Sequence, residues 1–376
     1  HDRVLLRCHG LDTLATIRVN GVEIGRADNM FRTWDFDVKS VLQAGENTIE
    51  VAFAAAMTYA CQMDAEKGEW PGWVEPMRIN SGAWIRKEPC NFGWDWGPKM
   101  VTSGIWRAIE LVTYEAARLS DVLVTQHHDN GEVSLTVKIA AEVFGDAPIH
   151  AAAQVLKDGA AVTATMPVVL TDGAGLVTLR IPDPHLWWVN GLGEQPLYEV
   201  KVGLFDNGDG FIDTWTKRIG LRTLTLERHP DEWGESFYFA CNGVPFFAKG
   251  ANWIPASPYP WEPQYALYQM LISAAADVHM NMLRVWGGGV YEDDAFYALC
   301  DEYGIAIWQD FMFACGTYPT TDAEFMANVK AEATDNIKRL RHHPCMALWC
   351  GNNEIEQGMG GSGWQSKLSW DDYGLL

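Results

Sequence analysis

Four apolar runs beyond residue 240 each break off at a polar or aromatic residue, and helix-patterned stretches lie between them. Phe246 to Asn252 ends at Trp253, Asn281 to Trp286 at Gly287-Gly-Gly289, Ile305 to Trp308 near Asp310, and Met346 to Cys350 at Gly351-Asn-Asn-Glu354. Glu262 to His279 carries Leu267, Met270, Leu271, Ala274 and Ala275 at helical spacing, Asp293 to Tyr303 stops at Gly304, and Ala323 to Arg341 stops before Pro344. Short, mainly apolar runs that turn polar at their ends are the pattern of parallel strands packed between helices. This alternation predicts a parallel α/β domain, with a (β/α)8 barrel as the leading candidate. Four units cannot close eight strands, so residues 226–376 are expected to form half a barrel. The chain also opens on His1-Asp-Arg, already strand-like, and is expected to be a piece of a longer one.

The preceding sequence has a different period. Residues 1–117 read as a β-sandwich, with short runs at Val4–Cys8, Ala15–Val19 and Thr48–Phe53, and with Asn20-Gly21 as a two-residue hairpin turn. Met57 to Lys99 interrupts the pattern as a long segment rich in Pro and Gly, after which Ile105 to Val112 returns to strand. Residues 118–225 read as a second, smaller sandwich, with strands such as Val133–Ile139 and Tyr198–Phe205 and a turn at Asp206-Asn-Gly-Asp-Gly210. Its Trp187-Trp188 pair reads as a core or interdomain contact ahead of a carbohydrate platform.

Charge excludes some partners. A formal net charge of −21 repels phosphate backbones and anionic lipid, so neither nucleic acid nor a membrane surface is expected. No apolar run approaches the roughly 20 residues of a spanning helix. The eight cysteines are scattered without a CxxC pair, which fits reduced thiols in a compartment such as the cytoplasm. No metal-ligand motif is present, and no metal or cofactor is expected.

Chemistry in α/β folds gathers at the C-terminal ends of strands. This rule brings Trp253, Arg284, Trp286, Asp310, Asn353 and Glu354 towards one mouth. A glutamate there can protonate a leaving oxygen if its surroundings suit, and the mix of aromatic, amide and charged groups suits a polyhydroxylated, uncharged ligand. Singly, each residue has a structural reading: Arg284 as an ion-pair partner, the tryptophans as caps of the core, Glu354 as a solvated strand exit. Asp95, in the tryptophan-rich loop, reads by itself as an interdomain hydrogen-bond partner. Gly358 to Gly363 formally matches GxGxxG but reads as a mobile loop, since no βαβ unit follows. Trp364 either borders the site or is simply exposed, His342-His343 suit a helix C-terminus, and Glu356 faces solvent or supports its neighbours.

Several stretches together resemble a β-mannosidase of glycoside hydrolase family 2: Arg18-Val-Asn-Gly-Val22, Asn29-Met-Phe-Arg32, Phe92-Gly-Trp-Asp-Trp-Gly-Pro98, Lys249-Gly-Ala-Asn-Trp-Ile254, Asn281 to Gly289, and Trp349-Cys-Gly-Asn-Asn-Glu354. The resemblance implies a jelly-roll-like sugar-binding sandwich, an immunoglobulin-like sandwich, and a catalytic barrel. It implies a retaining exo-hydrolase of β-mannoside oligosaccharides, with Glu354 as acid/base and Arg284 orienting the nucleophile. Asp95, Trp286 and Asn353 would bind the sugar. The nucleophilic glutamate would lie on a later strand that these residues do not include. The same family holds β-galactosidases and β-glucuronidases, and a scaffold that binds sugar without catalysis is a further alternative.

Overall fold

The structure is a computed structural model and describes residues 1–72, 82–145, 148–262 and 264–375. Two three-stranded antiparallel sheets open the fold. Arg3–Cys8 lies between Trp34–Asp37 and Ile109–Tyr114, while Ala15–Val19 lies between Val22–Ala27 and Ile49–Phe53. Alternate residues of both sheets, Leu6 and Cys8 from one and Ile17 and Val19 from the other, meet in one core, as a sandwich requires. Asn20 and Gly21 both take positive φ, 51° and 80°, so that Val19 pairs with Val22 across the tight turn.

Two readings of this region need correction. The run Ile105–Val112 is split between Gly104–Ile105 and Ile109–Tyr114. The cause is Trp106, which turns inward to donate to Met30 O at 2.9 Å and packs where Gly10 has no side chain. The long segment after Met57 begins as a helix, Ala56–Lys67, of which only Ala56 and Ala60 are buried. Without an apolar stripe it left no helical period in the sequence. Residues 73–81 of that segment lie outside the described residues.

In the second sandwich, Glu132–Val143 pairs with Ala117–Asp129 and Ala174–Ile181, and Ile149–Lys157 pairs with Tyr198–Asp206. Leu135, Val137, Val155 and Val200 share its core. Trp187 is fully buried and donates to Asp301 O at 2.8 Å, so it locks this sandwich to the next unit.

The strand expected from Phe246 to Asn252 is two elements. Val244–Phe246 closes an antiparallel hairpin with Tyr238–Cys241 across Asn242-Gly243, and the parallel strand proper is Gly250–Trp253. Gly250–Trp253, Met282–Val285, Ala306–Asp310 and Met346–Cys350 then lie side by side in chain order, all parallel. Helices Tyr265–Asp277, Asp294–Tyr303 and Ala323–Leu340 connect them. Asp293 and Asp322 cap the second and third helices by accepting main-chain N–H bonds, and Gly304 ends the second at φ 71°. No helix among the described residues is long and apolar enough to cross a membrane.

A buried ion pair joins the first sandwich and its crossover to the α/β unit. Arg86 donates to both oxygens of Glu332, at 2.8 and 2.7 Å, and both side chains are almost wholly excluded from solvent. Asn29 and Tyr291 donate to the same carboxylate, at 2.9 and 3.0 Å, so the buried charge is fully bonded.

Candidate active site

The pleat of the parallel sheet decides which side chains meet. Register sets Asn252 opposite Arg284 and Arg284 opposite Trp308, so these three share a face. Leu283, Val285 and Ile307 take the other face and pack on the helices. Trp253 goes with them. Its Nε1 donates to Glu292 at 2.8 Å and its ring lies 4.8 Å from that of Phe296, so it belongs to the helix-side core and not to the mouth. Asn252 takes the place at the mouth that the sequence reading assigned to Trp253, 3.5 Å from Arg284 Nη1.

Arg284 is the hub of the polar face. Its Nε and Nη2 donate to the two oxygens of Asp310 at 3.1 and 2.7 Å, and Nη2 also donates to Asn353 Oδ1 at 2.8 Å. The guanidinium lies 5.1 Å from the Trp308 ring. Asp310 is fully buried and accepts a further bond from Gly287 N at 3.0 Å. Burial pushes its carboxyl upward, opposed by Arg284 and these hydrogen bonds. Gly287 must lack a side chain, because a Cβ there would meet Phe313 O at 2.6 Å.

Asn353 is buried, and its other amide atom extends the network. Nδ2 donates to Cys315 Sγ at 3.2 Å, and Cys315 Sγ donates to Glu354 Oε2 at 3.3 Å. The main chains of Asn353 and the Phe313–Cys315 segment also pair, at 2.9 and 3.0 Å. Cys315 and Glu354 both sit in the left-handed region, at φ 52° and 61°. Such conformations cost on the order of 1–3 kcal/mol each and survive where surroundings over-determine them. Glu354 itself is exposed at the head of helix Ile355–Gly361. A rigid chain from Asp310 through Arg284, Asn353 and Cys315 thus ends on one solvent-facing carboxylate.

The tryptophan-rich loop reaches the same rim. Trp286 is 8% exposed, and its ring meets Trp94 edge-on at 4.7 Å and Trp96 at 5.8 Å. Cys90 N donates to Gly288 O at 2.9 Å, which ties the loop to the glycine turn. Asp95, between the two tryptophans, is exposed. Behind the loop, buried Glu88 accepts from Cys90 Sγ at 3.1 Å and from Asn91 Nδ2 at 2.8 Å, and burial pushes its carboxyl up to about 7.

Comparison with known proteins supplies the lineage of this arrangement. Residues 1–107 match the glycosyl hydrolase 2 galactose-binding domain-like family, and residues 117–222 match the glycosyl hydrolases family 2. The β-mannosidase of Bos taurus is 38% identical over 371 residues, covering 94% of this chain and 42% of that protein. β-Mannosidase B of Aspergillus flavus is 39% identical over 366 residues, with the same coverage of 94% and 42%. The solved β-D-mannosidase of Dictyoglomus thermophilum superposes with a TM-score of 0.89 at 37% identity, over 100% of this chain and 47% of that one. The chain belongs to glycoside hydrolase family 2. It spans about 42% of the length of the curated relatives it matches.

Within this family 2 chain, the structure brings Arg284 and Asn353 together directly, links Asn353 to Glu354 through Cys315, and joins Asp95 to Trp286 through the flanking rings. Cys315 and Glu88 were missed by sequence reasoning. No motif marks Cys315, since its contacts depend on two loops meeting, and only the charged run Arg86-Lys-Glu88 inside an aromatic segment hinted at buried ionic work.

Other readings change. Trp364 is not exposed: it is 3% exposed, against Gly358, where a Cβ would approach the ring to 2.2 Å. Gly358 to Gly361 lies in a helix, where the sequence predicted a loop. His342 accepts from Val124 N and His343 pairs with Asp301 at 2.6 Å, so both serve contacts other than the helix dipole. Glu356 is exposed on the helix, as expected.

Proposed function

We propose that the protein carrying this chain is a retaining exo-β-mannosidase, which removes terminal non-reducing β-D-mannose from oligosaccharides. The observation that carries this reading is the solvent-facing Glu354, held by the Arg284–Asn353–Cys315 chain, in a sequence 37–39% identical to proteins named β-mannosidase. Residues 1–117 act as a jelly-roll-like sandwich, 118–225 as an immunoglobulin-like sandwich, and 226–376 as the first half of a (β/α)8 barrel.

In this mechanism Glu354 protonates the glycosidic oxygen as the bond breaks and then takes a proton from the water that releases the sugar. Its exposure leaves it open to both reactants. A retaining reaction needs a second carboxylate about 5–5.5 Å away as nucleophile. Asp310 does not fit that role, because Arg284 and Gly287 N already occupy its oxygens and it is buried. Its work is to hold Arg284, which in turn orients Asn353 and the nucleophile supplied by a later strand. Asn353 bonds the sugar beside its 2-hydroxyl, Trp286 stacks on the sugar's apolar face, and Asp95 grips remote hydroxyls.

The test is nitrophenol release from aryl β-D-mannoside, β-D-galactoside and β-D-glucuronide by the protein that carries these residues, with and without Glu354→Gln. Preference for the mannoside, with the variant losing far more rate on poorly activated mannosides than on good leaving groups, is the expected result. Equal loss on both would remove Glu354 from the acid role. Preference for galactoside or glucuronide would reassign the sugar, and absence of any hydrolysis would leave a binding scaffold.

A further inference from the structure

A second cavity, of about 620 Å³, opens between the first sandwich and the α/β unit, and none of the residues around Glu354 lines it. That volume lies within the roughly 300–1,000 Å³ of pockets that enclose small molecules. Trp106 and Arg107 form its sandwich wall, Trp261, Gln264 and Tyr265 its rim, and Asp293, Asp294 and Arg339 its far side.

Three features point to a ligand. Arg107 stacks 4.2 Å over the Trp106 ring and spends only Nη2, on the carbonyls of Tyr291 and Glu292 at 2.6 and 3.3 Å. Among the described residues its Nε and Nη1 donate no hydrogen bond. Gln264 Oε1 is buried at the cavity and has no hydrogen-bond partner, which costs free energy unless something else donates to it. Trp261 and Tyr265 hold their rings 50% and 55% exposed at the opening.

Charge narrows the class. The lining carries Glu262, Glu292, Asp293 and Asp294 against Arg107 and Arg339, an excess of acid that disfavours an anion. Arg107, with no carboxylate bonded to it, disfavours a cation. A neutral molecule with hydroxyls for Arg107 and Gln264, and with C–H faces for the rings, answers both demands. We propose that this cavity is a second saccharide site, which takes a neutral oligosaccharide of hexose units independently of the Glu354 site.

The probe is β-1,4-mannobiose, titrated by calorimetry into the Glu354→Gln protein so that nothing is hydrolysed. Two further changes are made in that background: Trp261→Ala with Tyr265→Ala, both exposed and therefore tolerable to the fold, and separately Trp286→Ala. Thermal melts check that each variant is folded. The expected result is binding that survives Trp286→Ala and weakens about tenfold or more in the Trp261/Tyr265 pair. Binding that is lost with Trp286 and kept without Trp261 and Tyr265 would overturn the proposal, as would no binding up to about 50 mM. Neither failure touches the assignment of Glu354, which hydrolysis tests separately.

Discussion

Replacing Glu88 with Gln should make the protein more stable in alkali relative to the parent, by an amount the structure sets. Glu88 is 2% exposed, and burial is the main cause that lifts its carboxyl from an ordinary 4.5 to about 7. Between those values the folded protein keeps a proton that the unfolded chain has already released. Stability therefore falls as pH rises through this window, and levels off above about 7. The full drop is about 3 kcal/mol, from about 1.4 kcal/mol for each tenfold change in proton affinity. A glutamine at 88 accepts from Asn91 with its oxygen and donates to Cys90 Sγ with its nitrogen, so the geometry persists and the titration disappears. Urea unfolding of both proteins at pH 4.5, 6, 7 and 8 gives the test. The stability difference between variant and parent should grow by about 3 kcal/mol across the series, nearly all of it before pH 7.5. Every other titrating group is common to both proteins and cancels. Parallel stability profiles would refute the reasoning, because they would mean that Glu88 ionises in the folded state as easily as in water.

Other perturbations test other links. Glu332→Gln leaves the Arg86 guanidinium buried without its counter-charge and should cost about 3–5 kcal/mol in chemical denaturation; a loss below about 1 kcal/mol would make the pair dispensable. Cys315→Ala removes the atom that joins Asn353 to Glu354. It should lower kcat/KM roughly tenfold and displace the alkaline limb of the pH–rate profile, where the general acid loses its proton, with Cys315→Ser restoring both; an unmoved profile would demote the thiol to packing. Asp95→Ala should raise KM for mannosides about tenfold or more without lowering the melting temperature, and unchanged kinetics would return Asp95 to a loop role.

The strands Ala306–Asp310 and Met346–Cys350 were legible because their apolar runs are nearly unbroken. Met346–Cys350 begins and ends where its apolar run does, and Gly304 stops its helix in the left-handed conformation that few other residues adopt cheaply. The phase of the pleat was not legible. A short run without strict alternation does not say whether Asn252 or Trp253 points at the mouth, and only the register with Arg284 decides it. Helix Ala56–Lys67 buries two alanines and so wrote no period into the sequence. Asn242-Gly243 was a readable turn that the apolar run at Phe246 overshadowed. Cys315 was illegible for a different reason: its bond to Glu354 spans 39 residues and exists because two strand-end loops pair main chain to main chain. Trp364 needed the absent side chain of Gly358 to be read as buried.

The first sandwich is part of the site's framework, and three consecutive residues carry that argument. Arg86, Lys87 and Glu88 are ionisable and yet 2% exposed each. Their side chains take three different sets of partners. Arg86 binds Glu332 in the α/β unit, Lys87 binds both oxygens of Asp12 in the sandwich at 2.6 and 2.5 Å, and Glu88 turns to Cys90 and Asn91. Apolar residues would fill the same volume without the cost of desolvating these polar groups. What they would not supply is a fixed direction. With residue 86 bonded to one unit and residue 87 to the other, the chain leaves Glu88 from a point held on both sides. The loop is then pinned again where Cys90 N meets Gly288 O. Eight residues after Glu88, Trp96 still meets Trp286 at 5.8 Å, and Asp95 is delivered with it. The cost of burying these groups is thus offset in position: they set where an exposed carboxylate from one unit stands beside a tryptophan of another.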